Sequence, residues 1–206
     1  SAALGATVAV VTNVEPDHLE NWGGEAALRD GFRRFVAALD GAAVLCADDE
    51  GSRALTVDAG RPVTYGLDPG ADFRVTGWSA AGTGVRFGLR HGGDEVEVAV
   101  AAALGIHNVR NAAGAVAAAH VLGVPLAEAA AALRGFTGVA RRFELRGEAA
   151  GVTVVDSYDH LPTEVAAALA AGAAGGWGRV VVVFQPHRYS RTQALWQDFA
   201  DAFVDA

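Results

Sequence analysis

A chain of 206 residues that is 51% hydrophobic and 19% charged holds enough apolar material for one packed domain and part of another, and is too apolar to be disordered. Its net charge of −8 argues against a non-specific nucleic-acid binder, and no stretch is long and apolar enough to predict a membrane helix. The single cysteine, Cys46, excludes an internal disulfide and fits a reducing, cytoplasmic setting, while all sixteen basic residues are arginine, so lysine chemistry is ruled out.

Residues 8–12 form a short β-branched run, the mark of a parallel strand covered on both faces. A polar loop over 13–24 precedes a helix over 25–39, where Leu28, Phe32, Phe35, Val36 and Leu39 recur at helical spacing. Strands are expected at 43–46, ending in Asp48 and Asp49, and at 63–65. Alternating strand and helix favours a parallel α/β sheet. From 71 onward the pattern changes to three strands, 72–78, 85–89 and 96–100, separated by glycine-bearing turns, which reads as an antiparallel meander. Helices follow over 108–122, stopped by Gly123 and Pro125, and over 126–133. Residues 135–146 read as a connector, with a domain boundary near Arg146 that divides the chain into 1–145 and 146–206. A strand at 152–155, a helix opening at Pro162, a buried strand at 180–184 and a final helix complete the series, which begins a second α/β unit. The chain starts in a strand and stops within a helical pattern, so parts of its own polypeptide are expected to be missing at both ends.

In open parallel sheets, ligands bind beyond the carboxyl ends of strands, and three polar clusters fall there. The first runs through Asn13, Glu15, Asp17 and His18. A divalent cation fits such a loop, with Glu15 or Asp17 the natural oxygen ligands for Mg²⁺; turn and capping chemistry is the plainer alternative. The second runs from Asp156 to Glu164 and ends at a helix N-terminus that favours an anion, with Asp156 able to accept from ribose hydroxyls. Equally, these residues turn the chain and start the helix. The third holds His187, Arg188 and Arg191, suited to carboxylate or phosphate recognition or else to a solvated loop. Between them, His107, Asn108 and Asn111 open a helix, where an amide caps the helix or reads a base edge, and Arg141 and Arg142 sit in the presumed hinge. The glycines over 172–178 follow a helix and precede a strand, the wrong order for a phosphate loop, so they read as a turn. His91 and His120 have no partner by spacing.

Taken in order, the segments 13–18, 107–111, 138–143, 156–164 and 187–191 resemble the Mur ligase family across nearly the whole chain. The forms His187-Arg188-Tyr189-Ser190-Arg191 and Asp156-x-Tyr158-x-His160-x-Pro162-Thr163-Glu164 look most like the branch that joins L-alanine to UDP-N-acetylmuramate in peptidoglycan synthesis. The resemblance implies an α/β fold: a mostly parallel central sheet with an antiparallel meander, the later part of the family's ATPase domain, followed by a truncated Rossmann-like C-terminal domain. It implies ATP and Mg²⁺ as cofactors. It gives His18 as the metal ligand, His107, Asn108 and Asn111 at adenine, Arg142 near the nucleotide phosphates and Asp156 at the ribose. Tyr158, His160, His187, Arg188 and Arg191 would line the site where the amino acid meets an acyl phosphate, with His160 and the last three as the catalytic set. Two departures stand out. Ser157, Asp159 and Leu161 replace the family's usual Asp, small residue and His, and the Gly-Lys-Thr phosphate loop is absent and is expected upstream. The alternatives are the related ligase that adds a preformed peptide to the same sugar nucleotide and a degenerate nucleotide-binding module.

Overall fold

The computed structural model describes residues 5–204. It divides into two compact units, one made of the residues up to Trp78 with Phe87–Ala99 and Val109–Arg134, the other of Ser79–Arg86, Val100–Asn108 and the chain from Gly135 onward.

A six-stranded sheet, most of whose residues belong to the first unit, has the order β1-β2-β3-β4-β5-β6, with strands β1 (Val8–Val11), β2 (Ala42–Cys46), β3 (Pro62–Gly66), β4 (Phe73–Ala81), β5 (Gly84–His91) and β6 (Asp94–Val100). The first four run parallel, in a register that sets Val10 beside Val44 and Leu45 beside Thr64. Two-residue loops join β4 to β5 and β5 to β6, which permits only antiparallel pairing. All five residues of β2 are buried, as a central parallel strand requires. The meander strands alternate instead, Val85, Phe87 and Leu89 facing inward.

Helix α1 (Leu19–Trp22) is a single turn inside the loop expected over 13–24. Helix α2 (Glu25–Ala37) begins with an acidic residue and ends with Arg34, both favourable to its dipole. Its inner face meets the sheet: Val36 packs with Val11, Val14, Ala43, Leu45 and Leu55, flanked by Phe32, Phe35 and Leu39. Helix α3 (Glu50–Arg53) follows β2 after Ala47, Asp48 and Asp49 and runs into a 3-10 turn over Ala54–Val57. Helix α4 (Ile106–Val121) lays a face of small residues inward, and α5 (Leu126–Ala132) follows the turn at Gly123 and Pro125. The need for small residues is explicit at Gly114, where a Cβ would stand 2.8 Å from Cζ of the fully buried Tyr65. His91 and His120 do find partners, through long-range packing that spacing cannot reveal. His91 stacks on Phe73 at 3.8 Å, and His120 meets both rings edge-on.

In the second unit β7 (Glu144–Ala149) and β8 (Val152–Asp156) form an antiparallel pair with a register shift between Leu145 and Gly147. The connector expected over 135–146 therefore ends in a strand. Its sequence hid it, because Glu144, Arg146 and Glu148 mask the alternation and Gly147 interrupts it. Helix α6 (Pro162–Ala174) starts at the expected proline, and Gly175 and Gly176 close it as a turn. Val165 and Leu169 pack on Phe199, with Phe184, Leu195 and Phe203 around them.

Two expectations fail here. Residues 180–184 pair with no strand among the described residues, and Val181 and Val183 are 72% and 95% exposed. A run of valines specifies a strand only through neighbours on both sides, and the two-stranded sheet β7-β8 does not take it in. The single final helix is instead α7 (Tyr189–Ala194) and α8 (Trp196–Asp201), broken at Leu195, whose φ of −117° and ψ of 20° leave the helical basin.

Candidate active site

The loop after β1 is knitted by its own polar groups. Thr12 Oγ1 donates to Asn13 Oδ1 at 3.0 Å, and Asn13 Nδ2 donates to Glu15 Oε1 at 2.9 Å. The chain then reaches His18 in a left-handed conformation with φ 53°, at the N-cap of α1. The His18 N–H donates to Asp17 Oδ1 at 2.9 Å, and its Nε2 lies 3.4 Å from Asp17 Oδ2. A carboxylate on an imidazole is the arrangement that orients a metal-ligating histidine. Among the described residues, no three His, Cys, Asp or Glu side chains are grouped to cage a cation. Mg²⁺ takes oxygen ligands, keeps several waters and needs no all-protein cage, so the Glu15 and Asp17 carboxylates are the groups of this loop whose chemistry suits it.

Asn111 stands exposed on the second turn of α4. Beside it, Arg110 Nε donates to Asp48 Oδ2 at 2.8 Å, a charge-assisted bond to a carboxylate that is only 9% exposed. Earlier in the same helix, Asn108 Nδ2 donates to the Leu104 carbonyl at 2.8 Å and lies 3.0 Å from His107 Nε2. The Asn108 amide is thus engaged locally, at the start of its own helix.

In the second unit, residues 138–143 turn sharply: Gly138 has a φ of 93°, which glycine adopts freely, while Arg141 and Phe143 take the left-handed values of 58° and 52°. The left-handed turn at Arg141 lets its carbonyl accept from the Tyr158 N–H at 2.8 Å while its guanidinium covers the Tyr158 ring at 4.4 Å. The Phe143 N–H donates to Ser157 Oγ at 3.1 Å, so the departure at Ser157 has a structural role.

Glu164 is the hub of this cluster. One of its oxygens accepts from the His160 and Leu161 N–H groups at 2.8 and 3.1 Å and lies 3.2 Å from His160 Nδ1. The other lies 3.4 Å from Arg142 Nη1. Leu161 at the N-cap has no side-chain acceptor to offer, and Glu164 reaches back to the N–H groups of the two residues that precede α6, His160 and Leu161. Asp159 is half-buried between these groups. Burial raises its carboxyl above the usual carboxylate range, reinforced by the charge of Glu164 and opposed by a bond from Ser157. Asp156, the last residue of β8, pairs in register with Glu144. Farther on, Arg188 takes a left-handed φ of 70° at the N-cap of α7, its carbonyl accepting from Thr192, and Arg191 Nη1 donates to the His187 carbonyl at 3.4 Å.

Arg142, Tyr158 and His160 are therefore brought together around Arg141 and Glu164, and His187, Arg188 and Arg191 form a second local group. His18 and Asn111 belong to the first unit and the remaining nine expected residues to the second, so neither unit carries the whole set. Sequence reading missed Arg141 as a clamp on Tyr158 and missed the work of Asp48 and Asp49. The signal available was two carboxylates directly after a buried strand. Cys46, by contrast, is sealed in β2, and burial pushes its thiol up, away from nucleophilic use.

The model of the Mur ligase middle domain matches residues 1–119, and that of the Mur ligase, glutamate ligase domain matches residues 141–206. A UDP-N-acetylmuramate–L-alanine ligase of Clavibacter sepedonicus is 47% identical over 200 residues, covering 96% of this chain and 42% of that protein. One from a Geobacter species is 44% identical over 207 residues, covering 98% of this chain and 45% of its own length. The chain thus spans less than half the length of these relatives. The crystal structure of the UDP-N-acetylmuramate–alanine ligase MurC of Thermotoga maritima superposes with a TM-score of 0.78 at 29% identity, covering all of this chain and 45% of that one. MurF of Acinetobacter baumannii, at 24% identity and a TM-score of 0.71 over 82% of this chain, shares the fold. On these matches and on an α/β architecture in agreement with them, the chain belongs to the Mur ligase family.

Proposed function

We propose that this chain is the later part of the ATPase domain (1–145) and the start of the C-terminal domain (146–206) of a cytoplasmic ligase that joins L-alanine to UDP-N-acetylmuramate. The observation that carries the reading is identity above 40% over nearly the whole chain to ligases of that name. In the reaction, the muramate carboxylate attacks the γ-phosphate of ATP, giving an acyl phosphate and ADP. The neutral alanine amine then attacks the acyl carbon, the acyl–oxygen bond breaks to release phosphate, and the nitrogen gives up a proton to leave the amide. The protein's contribution to such chemistry is positioning and charge stabilisation.

In this reading His18, oriented by Asp17, would hold Mg²⁺, which would supply neutralisation of phosphate charge. His107, Asn108 and Asn111 hold adenine, and Asp156 accepts from the ribose. Arg142 meets the phosphates with its guanidinium, steadied by Glu164 until the nucleotide arrives. Tyr158, held by Arg141, and His160, held by Glu164, shape the acceptor side. His187, Arg188 and Arg191 bind the carboxylates that would otherwise repel one another.

No lysine exists in these 206 residues, so a phosphate-loop lysine has to come from outside them. The 206-residue chain alone is therefore expected to release no phosphate on addition of ATP, UDP-N-acetylmuramate and alanine, whereas the polypeptide as its gene encodes it does. Turnover by the pure chain would overturn the division of labour. Preference for a tripeptide over alanine in the intact protein would move the assignment to the peptide-adding branch, and nucleotide binding without amide formation would mark a degenerate module.

A further inference from the structure

Two consecutive carboxylates leave the buried strand β2 in opposite directions, and each is committed to backbone or arginine partners within the first unit. Asp49 Oδ1 accepts from the Ser52 N–H at 2.6 Å, capping α3, and also from the Val14 N–H at 3.1 Å, thirty-five residues earlier. Two further contacts pin the same loop. Ser52, fully buried, donates its hydroxyl to the Val11 carbonyl at 3.1 Å, and a Cβ on Gly51 would stand 2.8 Å from both Cβ and the carbonyl oxygen of Val14. Val14 is itself 6% exposed, and His18 follows four residues later.

Asp48 faces the other way. It accepts from the Leu67 and Asp68 N–H groups at 2.9 Å each and from Arg110 Nε at 2.8 Å. The fit is close enough that a Cβ on Gly66, whose φ is 145°, would lie 2.7 Å from Asp48 Oδ1. Arg110 is the residue before Asn111.

We propose that Asp48 and Asp49 are positioning residues of the nucleotide site: Asp49 fixes the height of the loop that presents His18, and Asp48, through Arg110, fixes the turn of α4 that presents Asn111. The proposal rests on the ligase reading for the roles of His18 and Asn111, but the brace itself is geometric. A carboxylate suits both jobs because it offers about four acceptor sites and tolerates several N–H donors at once. It also predicts that the two arms separate kinetically, one acting on the metal and the other on the base.

The test uses the polypeptide as its gene encodes it. Asp49→Ser keeps a cap on α3 but is too short to reach Val14 as well, whereas Asp49→Asn retains an oxygen for both donors. Asp49→Ser is expected to raise the Mg²⁺ concentration for half-maximal activity about 10-fold, the usual scale for loss of an outer-sphere support, and Asp49→Asn to restore most of it. Arg110→Leu is expected to raise KM for ATP about 10-fold, the scale of a lost hydrogen bond to a charged group, with KM for alanine unchanged. If the variants only lower the melting temperature and leave both constants at wild-type values, the brace is structural and the proposal is overturned. If the wild-type protein makes no amide bond, the ligase reading fails separately. Binding of a fluorescent ATP analogue with and without Mg²⁺ then decides the brace on the same variants, and absence of any nucleotide binding by the wild type overturns both.

Discussion

Asp159 stands where the family usually has a small residue, and it titrates against its surroundings. Its folded-state carboxyl is raised above the ordinary value near 3.8 by burial first and by Glu164 next. A raised acid favours the fold when protonated. Its stabilising contribution is complete below the unfolded-state value and is lost as pH rises through the folded-state value. Asp159→Asn is therefore expected to raise the urea midpoint at pH 7, and the gain should shrink as pH falls through the raised value and vanish below about 3.8. A gain that persists unchanged at pH 3.5 would show that the carboxylate is not the source. The sequence made Asp159 visible as a departure, yet not its burial, which depends on Ser157 and Glu164 folding back around it. The same holds for Arg141: two adjacent arginines in a hinge look interchangeable until a positive φ sends one over Tyr158 and leaves the other to Glu164.

At the scale of elements, α4 shows how packing overrides local preference. Replacing a mid-helix glycine by alanine ordinarily gains about 1 kcal/mol of helix propensity. At Gly114 the new Cβ would fall 2.8 Å from the ring of Tyr65, which is fully buried. Overpacking of that kind costs about 1–3 kcal/mol, so Gly114→Ala is expected to destabilise the chain in thermal or urea unfolding despite its better propensity. A neutral result would mean that α4 slides outward freely.

Elements were legible where one period dominated: the buried run of β2, the alternation of β5 and the 3.6-residue stripe of α2 all lie within a few residues of their expected bounds. They were illegible where the signal needed a partner. Strand β7 is specified by β8 rather than by its own polar sequence, and residues 180–184 carry a strand-like composition with no strand beside them.

For the whole molecule, composition bounded the answer and motif order narrowed it. Five polar segments in family order were readable, four of them because each follows a strand end or opens a helix. Their contacts were not, since Val14 with Asp49 and Asp48 with Arg110 join residues 35 and 62 positions apart. No helix among the described residues is long and apolar enough to cross a membrane.

The stretch from Val180 to Phe184, exposed along its four valines, has a consequence for handling the protein. Five uncharged, β-prone residues without proline match the short segments that stack into cross-β fibrils, and here their backbone is not locked in a ladder. Arg179 and Pro186 bracket them, one by charge and the other by a missing N–H, in the manner of gatekeepers that keep such a segment from templating its own kind. Arg179→Ala should therefore shorten the lag of thioflavin-positive aggregation of the chain, and Val182→Asp should lengthen it; equal lags for all three proteins would show that the fibril-forming segment lies elsewhere.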